Sequence, residues 1–147
     1  RKHGGDLGGE ENGGVIFFDW VPCRDGILTA VKLVEMLASS GLSMSELDST
    51  LPSYCQVKEK IKCPDELKPR VLKALEERFS RYELDLTDGV RVTFEDGSWM
   101  LVRPSGTEPI FRCFVEARDL KRARDLAALG MREIKTCIKA AKTTGTR

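Results

Sequence analysis

The chain has 147 residues, of which 41% are hydrophobic and 32% are charged, and its formal net charge is +1. This composition predicts a soluble, globular protein of one domain or two small ones. It excludes a membrane-spanning protein, because no apolar run approaches the length of a bilayer span. The charge is uneven: residues 1–50 hold 4 Lys/Arg and 8 Asp/Glu, whereas residues 51–147 hold 20 and 15. A basic second part favours an anionic partner.

The first predicted element is a buried strand at Val15–Asp19, a short apolar run. A helix follows from Asp25 and stops at Gly41. Its apolar residues cover a wide face, which predicts a well-buried helix. Ser43 and Glu46 have the spacing of a capping box and predict a short second helix.

A strand followed by a helix is typical of the tail of an α/β domain. Residues 1–45 are too few to form such a domain alone. Because the chain also begins without Met, we expect a fragment of a longer protein, and a processed chain is the alternative. Residues 46–54 are predicted to be a linker.

Residues 55–147 predict an α+β domain with the order β-α-β-β-β-α, in which the helices cover one face of a sheet. Asp-Gly pairs at 88–89 and 96–97 predict two hairpins. Asp119 is placed to cap a final helix that runs to about Lys142. The other elements are a helix over 64–79 and strands over 54–62, 82–86, 90–94, 98–103 and 110–117, with Trp99 and Phe111 as core residues.

The five cysteines are odd in number and none has the CxxC spacing, so the sequence predicts neither a zinc site nor a disulfide framework. A reducing, cytoplasmic location fits this pattern best. Cys113 alternates with apolar neighbours and is predicted to be a small buried side chain.

The sequence RPSGTEP, which starts at Arg103, has more hydrogen-bonding groups than a turn requires. Ser105 and Thr107 offer hydroxyls, and Gly106 allows the backbone N–H groups to approach an anion closely. Arg103 and Arg112 supply planar guanidinium groups that match phosphate oxygens. Together these groups can surround a phosphate. The alternative is an ordinary turn in which Arg103 pairs with a surface carboxylate.

A second candidate is the glycine-rich sequence GGEENGG, which ends at Gly14. Its carboxylates and its amide could accept hydrogen bonds from vicinal sugar hydroxyls. The alternative is a solvated acidic loop without a ligand.

Both loops resemble those of one family. RPSGTEP followed by Arg112 resembles the phosphate-binding loop of the α-D-phosphohexomutases, which include phosphomannomutase, phosphoglucomutase and phosphoglucosamine mutase. GGEENGG stands where the third domain of that family carries its sugar-binding loop, G-E-x-S-G, and the sequence at Arg24–Gly26 resembles the end of that domain. The resemblance implies a third-domain tail followed by a fourth domain with a TATA-box-binding-protein-like sheet.

The resemblance also implies functional residues. The residues that would hold the substrate phosphate are Arg103, Ser105, Gly106, Thr107 and Arg112. The residues that would contact the sugar are Glu10 and Asn12. Asn12 replaces the family's usual Ser, and Gly14 stands where many members have His. The sequence therefore leaves the hexose unidentified.

In such enzymes a phosphoserine on the first domain and a Mg²⁺ site on the second act on the substrate, a phosphorylated hexose. A hexose bisphosphate forms, turns over and returns one phosphoryl group to the serine. No serine loop or aspartate-rich metal loop is present among these 147 residues. The implied partners are therefore the N-terminal domains of the same polypeptide, and we expect this chain alone to be inactive.

Two other functions remain open at this stage. The basic last helix could belong to a nucleic-acid-binding module, although the strands show no exposed aromatic pair for stacking on bases. The helix could also dock onto a partner in a protein-interaction module. The only histidine, His3, is predicted to face solvent at the chain end.

Overall fold

A computed structural model describes residues 4–9 and 13–143. The chain divides into two compact units, residues 1–52 and residues 53–147. The division falls within the span predicted as a linker, but part of that span is helical rather than extended.

The first unit contains a three-stranded antiparallel sheet with the order β1-β2-β3. The sequence predicted only the central strand, because the outer strands are short and polar or contain Gly and Pro. The two helices that follow were both predicted. The elements of this unit are β1 (Leu7–Gly9), β2 (Val15–Phe17), β3 (Val21–Arg24), α1 (Gly26–Ser40) and α2 (Met44–Ser49).

The ends of both helices confirm the predicted caps. The Asp25 side chain accepts a hydrogen bond of 2.9 Å from the Leu28 N–H at the start of α1. Gly41 terminates α1 in the left-handed conformation, with φ of 66°, which a residue without Cβ adopts at little cost. Ser43 and Glu46 form a reciprocal capping box at the start of α2.

The prediction that α1 is well buried is wrong for this unit. None of its side chains is fully buried, and Ile27 is 82% exposed and Val34 is 64% exposed. Helical periodicity indicates which face of a helix is apolar, but it does not supply the partner that covers that face.

The second unit is a five-stranded antiparallel sheet with the order β4-β8-β7-β6-β5. The α+β class is confirmed, and the five strands correspond to the five predicted segments, one more than the order β-α-β-β-β-α counts. The elements are β4 (Cys55–Lys62), a 3₁₀ turn (Asp65–Leu67), α3 (Lys68–Phe79), β5 (Glu83–Asp85), β6 (Val90–Thr93), β7 (Trp99–Pro104), β8 (Ile110–Ala117) and α4 (Leu120–Thr143).

The two long helices cover one face of this sheet, as predicted. Buried residues alternate along the strands, because successive side chains point to opposite faces. Helix α4 comes so close to the sheet at Gly130 that a Cβ there would lie 2.7 Å from Cys113 Sγ. The opposite sheet face, which we call the open face, carries partly exposed polar, basic and aromatic side chains.

The last helix begins where the sequence indicated, whereas α3 begins at Lys68, four residues after the predicted start, because Asp65–Leu67 forms a 3₁₀ turn. Pro69 lies in the first turn of α3, where a missing N–H costs nothing. The Asp119 carboxylate caps α4 by accepting a hydrogen bond of 2.8 Å from the Arg122 N–H.

Phe111 is fully buried as predicted, but the placement of Trp99 in the core is wrong. Trp99 lies on the open face, where its indole N–H donates to Glu116 at 3.0 Å. Its neighbour Met100 is completely buried in its place. Cys113 is also buried, and burial raises the pKa of its thiol to about 12. In the described residues, no helix combines the length and apolar character that crossing a membrane requires.

Candidate functional site

The loop between β7 and β8 lies at one end of the strands of the five-stranded sheet, beside three cationic side chains. Arg103 of β7 is the direct partner of Arg112 on β8, and Arg112 is the direct partner of Lys60 on β4. Directly opposed residues have Cβ atoms about 4.5–5.5 Å apart. Arg112 stands between the buried residues Phe111 and Cys113 and therefore lies on the open face, and its direct partners Arg103 and Lys60 share that face. We call these three residues the cation row.

Two exposed carboxylates partly neutralise the cation row. Arg103 Nη1 pairs with Asp88 Oδ2, and Arg112 Nη2 donates to Glu108 Oε2 at 2.8 Å. Both guanidinium side chains remain 37% exposed. The pairing of Arg103 is the one that the ordinary-turn alternative requires. Because ion pairs at such exposed positions contribute little, an anion could replace either carboxylate.

The Asp88-Gly89 turn packs against β7 at Arg103. Gly89 has φ of 103°, and a Cβ at this position would lie 2.8 Å from the Arg103 Cβ. The turn therefore needs a glycine in order to approach β7 this closely. On the open face, the Arg103 guanidinium lies 5.9 Å from the ring centroid of Phe114, which adds a cation–π contact.

The predicted loop residues divide into an inner and an outer group. Ser105 is only 8% exposed, and its hydroxyl oxygen accepts from the N–H groups of Thr107 at 3.4 Å and Glu108 at 3.3 Å. These bonds make Ser105 a turn-forming residue. Gly106 and Thr107 are exposed, and the Gly106 N–H donates to no other described residue.

The sequence did not indicate that Lys68 lies beside this loop. Lys68, the first residue of α3, donates to the backbone carbonyl of Ser105 at 2.6 Å and to that of Glu108 at 2.7 Å. It also pairs with Asp65 at 2.5 Å, and its side chain is only 12% exposed. No local signal could have revealed these contacts, because 37 residues separate Lys68 from Ser105.

The predicted sugar-contacting residues, Glu10 and Asn12, lie outside the described residues. Of the same glycine-rich sequence, Gly8 and Gly9 form part of β1 and lie opposite Ile16 and Val15. Within the described part of the chain, no three His, Cys, Asp or Glu side chains come together to hold a metal ion.

The chain matches two family models along almost its whole length. Residues 54–131 match the C-terminal domain of phosphoglucomutase/phosphomannomutase. Residues 1–54 match the alpha/beta/alpha domain III of the same family.

Individual relatives agree with these matches. A phosphoglucomutase/phosphomannomutase of Thermococcus kodakarensis is 45% identical over 139 residues, which are 94% of this chain and 30% of that protein. A probable phosphoglucosamine mutase of Methanopyrus kandleri is 44% identical over 140 residues, 94% of this chain and 31% of the relative. This chain thus spans about a third of their length.

The fold also matches a solved structure. The crystal structure of a phosphoglucomutase/phosphomannomutase family protein from Burkholderia thailandensis superposes with a TM-score of 0.69 at 29% sequence identity. The match covers 97% of this chain and 30% of that one.

Proposed function

The chain belongs to the phosphoglucomutase/phosphomannomutase family, and from this premise we propose that its second unit holds the phosphate of a phosphorylated hexose. The binding groups are Arg103, Gly106, Thr107 and Arg112, and Ser105 shapes the loop. The reaction of the whole polypeptide is the interconversion of hexose 1-phosphate and hexose 6-phosphate through a bisphosphorylated intermediate.

The cation row is the observation that carries this proposal. Like charges placed directly opposite each other destabilise a sheet, so three cations in one row have a cost in the folded protein. A dianion bound beside them removes that cost, and guanidinium groups match phosphate oxygens with two parallel hydrogen bonds. The exposed Gly106 N–H adds a neutral donor to the same loop.

A site of this kind suits the proposed reaction. All the binding groups are donors to phosphate oxygens, so the loop need not distinguish a phosphate on C1 from one on C6. Binding the phosphate that does not react would position the other one for transfer. This part of the protein therefore supplies binding and orientation rather than a nucleophile.

The remaining parts of the mechanism are proposed for residues beyond those that the structure describes. Glu10 and Asn12 would contact the sugar hydroxyls. The phosphoserine and the Mg²⁺ ligands would come from other domains of the longer polypeptide, and a hexose bisphosphate would act as activator. Consistent with this division of roles, we expect no turnover from this chain in a phosphoryl-transfer assay with Mg²⁺ and a hexose bisphosphate, and robust turnover would contradict it.

The nucleic-acid alternative has one feature in its favour. The open face carries two aromatic rings, Trp99 and Phe114, although the strand sequences predict no exposed aromatic pair. Each ring already has an arginine over it, Arg91 at 5.2 Å and Arg103 at 5.9 Å. Because bases would have to displace both arginines before stacking, the phosphate function is the better supported of the two.

Titration of the ¹⁵N-labelled chain with inorganic phosphate tests the proposal. We expect saturable shifts of the Gly106 and Thr107 amides, and we expect Arg112→Met to weaken binding roughly tenfold, because a charge-assisted hydrogen bond is lost. Arg124→Met, which removes an exposed arginine of α4, is the matched control. Shifts that are absent, or equal losses in both variants, would refute the proposed site.

A further inference from the structure

We propose that Lys68 is a positioning residue of the phosphate loop, which orients the Gly106 N–H toward the bound anion without touching that anion. The inference rests on the proposed phosphate site. It starts from the contacts of the Lys68 ammonium group, which no local sequence pattern places beside the loop.

The ammonium group of Lys68 has no donor left for a ligand. It carries three N–H bonds, and three acceptors surround it: Asp65 Oδ1 at 2.5 Å, the Ser105 carbonyl at 2.6 Å and the Glu108 carbonyl at 2.7 Å. The side chain is 12% exposed, so water competes weakly for these bonds. Lys68 therefore acts on the loop backbone and not on phosphate.

The contact with the Ser105 carbonyl fixes the direction of the next N–H. The peptide bond between Ser105 and Gly106 is trans, as are the others in the described chain. In a trans peptide the C=O and N–H bonds point in opposite directions. Because Lys68 holds the carbonyl on its own side, the Gly106 N–H points to the other side, where the loop is exposed.

The second carbonyl contact holds the far end of the loop. Lys68 bonds the Glu108 carbonyl, Cys63 N–H donates to the Pro109 carbonyl at 2.8 Å, and Ser105 N–H donates to the Ile110 carbonyl at 3.0 Å. The carbonyl groups at the base of the loop therefore accept hydrogen bonds from the protein. Because these bonds keep the carbonyl oxygens in place, the oxygens do not turn toward a bound anion and repel it. Lys68 is the only side chain among these donors, so it is the one that substitution can remove.

Two substitutions separate this role from general stabilisation. Lys68→Met keeps the length of the side chain but removes every donor, whereas Lys68→Arg keeps the charge and several donors. Lys73→Met, at an exposed position of the same helix, is the control. Inorganic phosphate is the ligand, the full 147-residue chain is the protein, and thermal unfolding is measured separately so that affinity is compared among folded molecules.

We expect Lys68→Met to weaken phosphate binding by about tenfold and to increase the mobility of the Gly106 amide before ligand is added. Lys68→Arg should restore part of both, and Lys73→Met should change neither. A Lys68→Met variant that is less stable but binds phosphate with unchanged affinity, with an unchanged Gly106 amide, would overturn the proposal.

A measurement on the unsubstituted chain covers the case in which Lys68→Met does not fold. The Lys68 ammonium signal should show couplings across its hydrogen bonds to the Ser105 and Glu108 carbonyls, and these should persist when phosphate is bound. Loss of the couplings on binding would mean that Lys68 contacts phosphate directly, which contradicts the proposal. If the unsubstituted chain shows no response to phosphate, the proposed function fails. The couplings and the Gly106 amide would still show, without ligand, whether Lys68 holds the loop backbone.

Discussion

Arg103 and Arg112 face each other directly across two neighbouring strands, each with a carboxylate beside its guanidinium group. Like charges opposed in this way disfavour the sheet. The arrangement is understandable if the two arginines act on an anion that binds between the strand ends. Arg103 and Arg112 would then contribute to ligand binding without stabilising the free protein.

The first prediction concerns the balance between affinity and stability. Arg103→Met should weaken phosphate binding by roughly tenfold or more, because a charge-assisted contact is lost. It should leave the free energy of unfolding unchanged or slightly higher, because the repulsion between Arg103 and Arg112 disappears. Calorimetric titration and urea unfolding measure the two quantities, with Arg70→Met on the exposed side of α3 as control. A variant that binds phosphate normally would contradict the role of Arg103.

A second prediction concerns the carboxylate that neutralises Arg103. Asp88→Asn should tighten phosphate binding by up to about fivefold, because an exposed ion pair contributes at most about 1 kcal/mol and no longer competes. The free protein should become slightly less stable, since the cation row loses a counter-charge. Glu76→Gln makes the same change of charge on α3 and should have no effect on affinity. Weaker binding by Asp88→Asn would show instead that Asp88 orients Arg103 for the ligand.

The inner and outer hydroxyls of the loop should behave differently. Ser105→Ala removes the acceptor for two backbone N–H groups, so it should lower stability by about 1 kcal/mol and weaken phosphate binding as well. Thr107→Val changes an exposed side chain and should weaken binding while leaving the melting temperature in place. Thermal unfolding and phosphate titration of both variants provide the comparison. Equal stability losses for the two would remove the distinction.

The turn between β6 and β7 predicts a pH dependence of stability. Hydrogen bonds from Ser98, and then the Arg122 guanidinium at 2.7 Å, lower the pKa of Asp96 from 3.8 to about 2. A carboxyl group with a lowered pKa in the folded state stabilises the protein above pH 4, and this contribution is lost as the pH falls toward 2.

Asp96→Asn should therefore reduce the free energy of unfolding at pH 7, by no more than about 1 kcal/mol because the group is half exposed. The difference from the unsubstituted chain should shrink below pH 4 and become small near pH 2, where about half of the Asp96 carboxyl groups in the folded protein are protonated. Urea unfolding at several pH values measures it. A difference that stays constant from pH 7 to pH 2 would rule out this role for the carboxylate.

Sequence patterns predicted the elements better than their contacts. Alternation identified the long strands, and the capping residues Asp25, Ser43 and Asp119 marked the helix starts, because both signals are local. Trp99 was misplaced because Trp99–Val102 is a continuous apolar run, in which alternation does not indicate the face that each residue occupies.

Contacts between distant residues were not predictable from local sequence patterns. The loop residues at 103–107 were recognisable from their chemistry, but Lys68 and Asp88 reach the loop only through strand register and turn geometry. The wrong prediction that α1 is well buried has the same cause. The periodicity that marks an apolar helix face is a local signal, whereas the residues that would cover that face are distant in sequence.

The central claim is that the loop between β7 and β8 binds a phosphate whichever carbon of the hexose carries it. The most direct test is to titrate the ¹⁵N-labelled chain separately with glucose 1-phosphate, glucose 6-phosphate and glucose. We predict that both phosphates shift the amides of Gly106 and Thr107 in the same direction with affinities within about tenfold of each other, and that glucose shifts neither amide. No response to either phosphate, or an equal response to glucose, would contradict the claim.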